Sequence, residues 1–299
     1  MLDLRRLRHL SELARRGTIA EVARAVGYTP SAISQSLLQL EREVGVALLE
    51  RDGRRVRLTP AARGLVARTE RALAELDAAE AELAAEQRTV RGRVVVGAFP
   101  SAAAWLVIPA TLALARRHPE LSVQVREHEP EDGIGLLRAG ELDVLVSERY
   151  EGVEPAPAGG LEEHLLLTEP LLLAFPDRDV GEPVSLAGYR DAAWIGGLAG
   201  TQYAVAVEQA CRAAGFTPRI VHRADEATVI QALAGSGLGV GFLPALACTD
   251  AEGVRYVEAS PPPPARLVSA LVRRGAARRP ALAAVLEALA ECRPTSTAH

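Results

Sequence analysis

Leu4, Leu7, Leu10 and Leu13 open the chain at three-residue spacing, the repeat that lines one face of a helix. That pattern predicts a helix over 2–16 that ends at Gly17. The next stretch, TIAEVARAVG, predicts a short helix with Thr18 as its N-cap and Glu21 placed for a capping box; Val22 and Val26 bury and Gly27 stops it. Thr29 then caps again, and Pro30 takes the first helical position, where its missing N–H goes unnoticed. Ile33, Leu37, Leu40 and Val44 recur at four, three and four residues, so the third helix buries that stripe and turns Ser31, Ser34, Gln35, Gln39 and Arg42 outward.

Asp52-Gly53 follows, between two short β-like segments in LLERDGRRVRLTP, and signals a hairpin whose tip carries Arg54, Arg55 and Arg57. From Ala61 to Gln87 the chain is rich in Ala, Glu, Leu and Arg, with Leu65, Thr69, Ala72, Leu76, Ala79 and Leu83 alternating four and three apart. A helix of that length spans about 40 Å and its seam lacks a core of its own, so it reads as a pairing helix. Residues 88–92 read as a hinge.

Beyond the hinge the period changes. Strands are predicted at 93–99, 122–129 and 142–148, with helices over Ala102–Arg117 and Asp132–Ala139. A second set follows, with strands at 165–176, 193–197, 218–225 and 240–244 and helices near 202–215 and 226–235. After the stiff Pro261–Pro264 stretch come one more strand at 266–274 and a helix over Pro280–Cys292. Alternating β and α implies a parallel sheet covered by helices, here in two lobes. The expected fold is a multidomain α+β and α/β chain. A winged helix-turn-helix occupies 1–60 and a linker helix 61–88. A two-lobed, periplasmic-binding-protein-like effector domain occupies 93–293, with lobe 1 at about 93–164 and 266–293 and lobe 2 at about 165–265.

Composition narrows the function. At 299 residues the chain is too long for one core, and 48% hydrophobic with 24% charged residues is ordinary for a water-soluble protein. No apolar run suits a membrane span and residues 1–20 lack a signal-peptide core, so a cytoplasmic place is expected. Cys211, Cys248 and Cys292 lie far apart and are read as reduced thiols, without disulfide or metal. Residues 1–60 carry eleven arginines against seven acidic residues on a chain whose net charge is −4, which points to an anionic partner for the first domain.

Short hydroxyls and amides are what a major groove rewards, because they meet base edges without repelling phosphate, and glutamine pairs bidentately with adenine. A solvated helix face explains the same residues; the basic hairpin that follows favours the groove. Arginines on such a tip reach backbone phosphates.

The order and residue types resemble the LysR-type transcriptional regulators. The resemblance is carried by the Ala23–Val26–Gly27 turn, the TPSAISQSLLQLE helix, EVGV (43–46), LLER (48–51) and RRVRLTP (54–60). It implies that Thr18 and Arg51 hold phosphates, that Pro30, Ser31, Ser34 and Gln35 lie along the groove with Thr29 and Gln39 beside them, and that Arg54 and Arg55 belong to the wing. Pro30, Ala20, Gln35 and Ala62 depart from residues common in the family. The resemblance further implies double-stranded DNA as partner, a homodimer or a tetramer of two dimers, and RNA polymerase as a further contact.

In open α/β lobes, ligands sit at the carboxyl ends of strands near helix N-termini. That rule selects Pro100, Ser101 and Ala102, then Ser147, Gly200 and Thr201, with Asp225 beside them, for a small effector of anionic character. Helix capping by Ser101 and Thr201 is the competing explanation. No cofactor is expected. GSGLGVG (235–241) lacks the third glycine of a dinucleotide loop, and neither G-x-S-x-G nor H-E-x-x-H occurs, so no catalytic residue is assigned. The alternative function is a solute-binding module without action on DNA.

Overall fold

The computed structural model describes residues 2–52, 55–86, 90–153, 160–177 and 184–292. Helices α1 (Leu4–Arg16), α2 (Ile19–Ala25) and α3 (Pro30–Val44) open the chain. The Asp3 carboxylate accepts from the N–H groups of Arg5 and Arg6 to cap α1. Thr29 caps α3 by accepting from the N–H of Ala32 at 3.2 Å, with Pro30 in its first turn. A hairpin follows, β1 (Leu49–Asp52) antiparallel to β2 (Arg55–Leu58), with Leu49 opposite Leu58. Helix α4 (Pro60–Glu86) then runs 27 residues. Leu10, Ile33, Leu37 and Leu40 lie at the centre of this head's core, which also takes in Val22, Ala23, Leu48 and Ala62.

Strand β3 (Gly92–Ala98) leads to α5 (Pro100–Ala102), a wide π turn over Ala103–Val107 and α6 (Ile108–Arg117). The sequence predicts an unbroken α-helix here. Pro109 has no N–H to give the carbonyl four residues back, and the turn widens so that Ile108 donates to Ala103 five residues back. Then come β4 (Leu121–Glu127), α7 (Pro130–Ala139), β5 (Val144–Tyr150) and β6 (Leu161–Glu169). Pro170 divides the single strand expected at 165–176, and β7 (Leu171–Pro176) follows it. Beyond lie β8 (Val184–Ser185), β9 (Ala193–Gly196), α8 (Gln202–Ala213), β10 (Arg219–Arg223), α9 (Ala227–Gly235), β11 (Gly241–Pro244), β12 (Val254–Val257), β13 (Ala259–Ser260), β14 (Arg266–Arg273) and α10 (Pro280–Glu291).

The chain forms two compact units. The first holds Met1–Ser147, Ala158–His164 and Ala270–Arg293; the second is built on Glu148–Pro157 and Leu165–Ser269. A five-stranded sheet runs β4-β3-β5-β14-β6, with β3 parallel to both β4 and β5. Around Leu165–Ser269 the sheets are mixed: β9 and β10 are parallel, whereas β7 lies antiparallel to β11 and β12. The expected all-parallel arrangement therefore fails in this unit, where β7 is the middle strand of a three-stranded sheet and runs antiparallel to both its neighbours. Trp194, Phe175 and Phe242 fill its centre.

Candidate nucleic-acid interface and effector loops

Gly27 takes φ 69° between α2 and α3, a left-handed turn that a side chain would strain. Tyr28 donates its N–H to the Ala23 carbonyl at 2.9 Å and closes that turn. Buried Ala23 allows α2 and α3 to pack closely, and α3 is rotated so that Ile33, Leu37 and Leu40 face inward. Thr29, Pro30, Ser31 and Gln35 are exposed, while Ser34 and Gln39 are half-buried. Pro30, Ser31, Ser34, Gln35 and Gln39 share one side of the helix with exposed Arg42 and Leu38, and Thr29 caps its start. Thr18 is half-buried; its hydroxyl accepts from the Glu21 N–H at 3.2 Å and donates to the Glu21 carboxylate at 3.0 Å. The expected capping box thus closes through the threonine hydroxyl rather than its backbone. Arg51 and Arg55 lie on β1 and β2, opposite Val56 and Asp52 respectively, with their side chains outside the described set. Arg54 lies outside the described residues.

The residues expected to meet an effector fall into two groups, one in each unit. In the first, Ala98 at the end of β3 pairs with Val146 on β5, which brings Pro100 and Ser101 beside Ser147 at the carboxyl edge of the sheet. Pro100 and Ser101 are half-buried and Ser147 is buried. Ala102 is fully buried, so only its backbone could meet a ligand. Phe99 stands at the N-cap of α5, and its side chain does not cap the helix. In the second unit, Gly200 is exposed and Thr201 caps α8, accepting from Ala204 at 3.1 Å and donating to the Leu198 carbonyl at 3.0 Å. Asp225 accepts from the N–H of Leu198 at 2.9 Å, and Arg223 donates to the Gly197 carbonyl at 2.8 Å. A Cβ at Gly197 would sit 2.6 Å from the Ala204 nitrogen, so only glycine lets this loop fold onto the helix end. Asp225 therefore braces the loop; it neither pairs with Arg223 nor caps α9.

Two family models match. "Bacterial regulatory helix-turn-helix protein, lysR family" covers residues 4–63, and "LysR substrate binding domain" covers 87–293. A probable hydrogen peroxide-inducible genes activator from Streptomyces viridosporus is 31% identical over 286 residues, covering 92% of this chain and 89% of that protein. The chain belongs to the LysR family of transcriptional regulators. The transcriptional dual regulator GltC of Bacillus subtilis is 26% identical, with 81% of each chain covered. A full-length OxyR variant from Pseudomonas aeruginosa shares the fold at a TM-score of 0.66 and 23% identity, covering 98% of this chain and 96% of that one. The helix-turn-helix match over 4–63 sets aside the solute-binding module, and the chain is a DNA-binding regulator with an effector-binding domain. No helix among the described residues is long and apolar enough to cross a membrane.

Several positioning residues of this LysR-type regulator escaped the sequence reading. The Glu41 carboxylate accepts from the N–H groups of Leu48 (2.8 Å) and Leu49 (3.0 Å), fastening the end of α3 to the first strand of the wing. Thr59 donates to the Ala47 carbonyl at 2.9 Å and caps the start of α4 through the Ala62 N–H. In the second unit, buried Arg266 bridges Glu148 and Glu169 at 2.7 Å each, and Tyr150 donates to Glu148. Only Glu41 left a sequence signal, as a carboxylate seven residues before an apolar pair at the start of a strand. Arg266 left none, since its partners lie 97 and 118 residues away.

Proposed function

We propose that this regulator reads operator DNA by laying the Thr29–Gln39 side of α3 in the major groove, with Thr18, Arg51, Arg54 and Arg55 on flanking phosphates. The observation that carries the reading is the exposed hydroxyl-and-amide side of α3, free of carboxylates between Thr29 and Leu40. Two heads are joined through the outer half of α4, where Ala72, Leu76 and Ala79 are exposed. A dimer so built presents two reading helices to successive grooves. A small anionic effector binds at the Pro100–Ala102, Ser147, Gly200–Thr201 and Asp225 loops and shifts the population of head arrangements.

Relatives are named as probable hydrogen peroxide-inducible genes activators, but two of the three cysteines here, Cys211 and Cys248, do not favour reaction with peroxide. Cys211 is fully buried, and burial pushes its thiol and that of Cys248 up to about 12, which suppresses the reactive thiolate. A gel shift on the chain's own upstream region tests the reading. Specific retardation should weaken steeply with salt, respond to small carboxylates or phosphates, and be unchanged by peroxide. Retardation indifferent to duplex sequence would overturn it.

A further inference from the structure

Helix α7 packs on two sides, and only one of them meets its own lobe. Gly133 and Leu137 lie toward the sheet: a Cβ at Gly133 would overlap the Leu145 side chain, and Leu137 packs with Val95, Leu142 and Leu145. Gly135 and Ala139, on the opposite side, lie toward the DNA-binding head of the same compact unit. A Cβ at Gly135 would overlap the Arg16 guanidinium and stand 2.9 Å from the Ala25 Cβ. Arg16 can swing aside, but the Ala25 Cβ is fixed to the backbone of α2 and is buried. Glycine weakens a helix interior relative to alanine, and the nearest atoms that exclude a side chain here are the head's, not the lobe's. Ala139 packs on the head core, and Arg8 of α1 donates to its carbonyl at 3.3 Å, in the last turn of α7.

We infer that α7 is the seat of the DNA-reading head, a regulatory contact through which the first lobe sets the direction in which α3 points. As a regulatory device the seat rests on the reading proposed above, in which Pro100–Ala102 meet an effector. Helix α7 begins beside that loop: the His128 N–H, two residues before Pro130, donates to the Ala98 carbonyl at 3.0 Å, two residues before Pro100. Its 10 residues then carry it about 15 Å toward the head. A close-packed helix passes a tilt at one end on to the other, because neither of its packed sides can absorb the movement. The seat leaves Thr29, Ser31 and Gln35 exposed, so it orients the reading side rather than covering it. Helix α4 meets the lobe as well, at Ala276–Arg278, so a head released from α7 stays tethered.

A double-mutant cycle on the full chain, read by amide exchange, tests the seat without any effector. Gly135→Ala improves α7 as a helix, yet should speed exchange across α1 and α2 about threefold or more while leaving β3 and β5 unchanged. With Ala25→Gly already in place, the room lost at one partner is restored at the other, and the same substitution should change head exchange less than about twofold. Faster exchange in β3 and β5, no rescue by Ala25→Gly, or equal exchange in parent and Gly135→Ala would each overturn the seat. Its regulatory part is read by gel shift on the chain's upstream region. Moving the half-sites apart by about five base pairs, half a helical turn, should cost the parent about tenfold or more in affinity and Gly135→Leu less than about threefold. Equal losses would refute control through α7. If the parent shows no specific retardation, the groove reading of α3 fails, and the exchange cycle still decides the seat.

Discussion

At Thr201 the hydroxyl both accepts from Ala204 and donates to Leu198, so its hydrogen-bonding capacity is largely used within the loop. On the proposed reading an effector there would meet backbone N–H groups first, so the capping seen at Thr201 does not exclude that role. Gln35 is the opposite case, an exposed amide on the open side of α3. Gln35→Ala should relax preference at one base pair of the operator and weaken binding there by about 1–3 kcal/mol, measured by competition among single-base variants of the site. A uniform loss across all variants would mean that Gln35 touches only backbone. His9 acts within the head: buried on α1, it meets the Ser36 hydroxyl of α3 at 2.8 Å through Nδ1 and stacks edge-on against Tyr28. Burial, then the nearby Arg5, lowers its imidazole below the usual value of 6.5, so the folded head holds it neutral while the unfolded chain takes the proton first. Its contribution is complete above that usual value and shrinks as pH falls below it. Melting temperature should therefore drop on acidification from pH ~7.5 to ~5.5 more in the parent than in His9→Gln, where this proton uptake is gone.

Among the elements, α3 and the wing behave as one piece because Glu41 spans them. Its two charge-assisted bonds to Leu48 and Leu49 are worth about 1–3 kcal/mol together. Glu41→Ala should leave the head folded but speed amide exchange at those two residues by about tenfold or more, and weaken binding to the operator; Glu41→Gln should restore part of both. Unchanged exchange would show that β1 holds its place without Glu41. The helix after β3 teaches a different lesson. Its apolar spacing is legible, as is the proline, yet the π turn that follows depends on whether the chain breaks, bends or widens at Pro109. Packing of Leu106, Val107, Ala110 and Leu114 against the sheet keeps the helix continuous on both sides, so the ladder widens instead.

For the whole molecule, the long helix divides its work. The seam expected along α4 begins with Leu65 and Thr69, but these face the chain's own interior: Leu65 packs on the head core and Thr69 is 3% exposed. Leu76, 47% exposed, belongs to the part through which the proposed dimer would pair, and Leu83 lies where side chains are outside the described set. Leu76→Glu should consequently leave the monomer folded and shift the dimer toward monomer by about tenfold or more in sedimentation, since it buries a charge in an apolar seam. An unchanged distribution would place the dimer contact elsewhere. Such a variant should also lose the affinity that two linked heads share.

Local chemistry was legible in the chain itself. Caps at Thr18, Thr29 and Thr201, the glycine turn before α3, the helical stripe of Ile33, Leu37 and Leu40, and the alternation of strands and helices all follow from interactions within a few residues. Two features needed the folded chain: the antiparallel pairing of β7 with β11 and β12, and the bridge from Arg266 to Glu148 and Glu169. Each joins residues far apart in sequence whose types are unremarkable singly. A guanidinium on a surface and one buried between two carboxylates share the same letter, and only tertiary packing decides which charge is answered from within the chain.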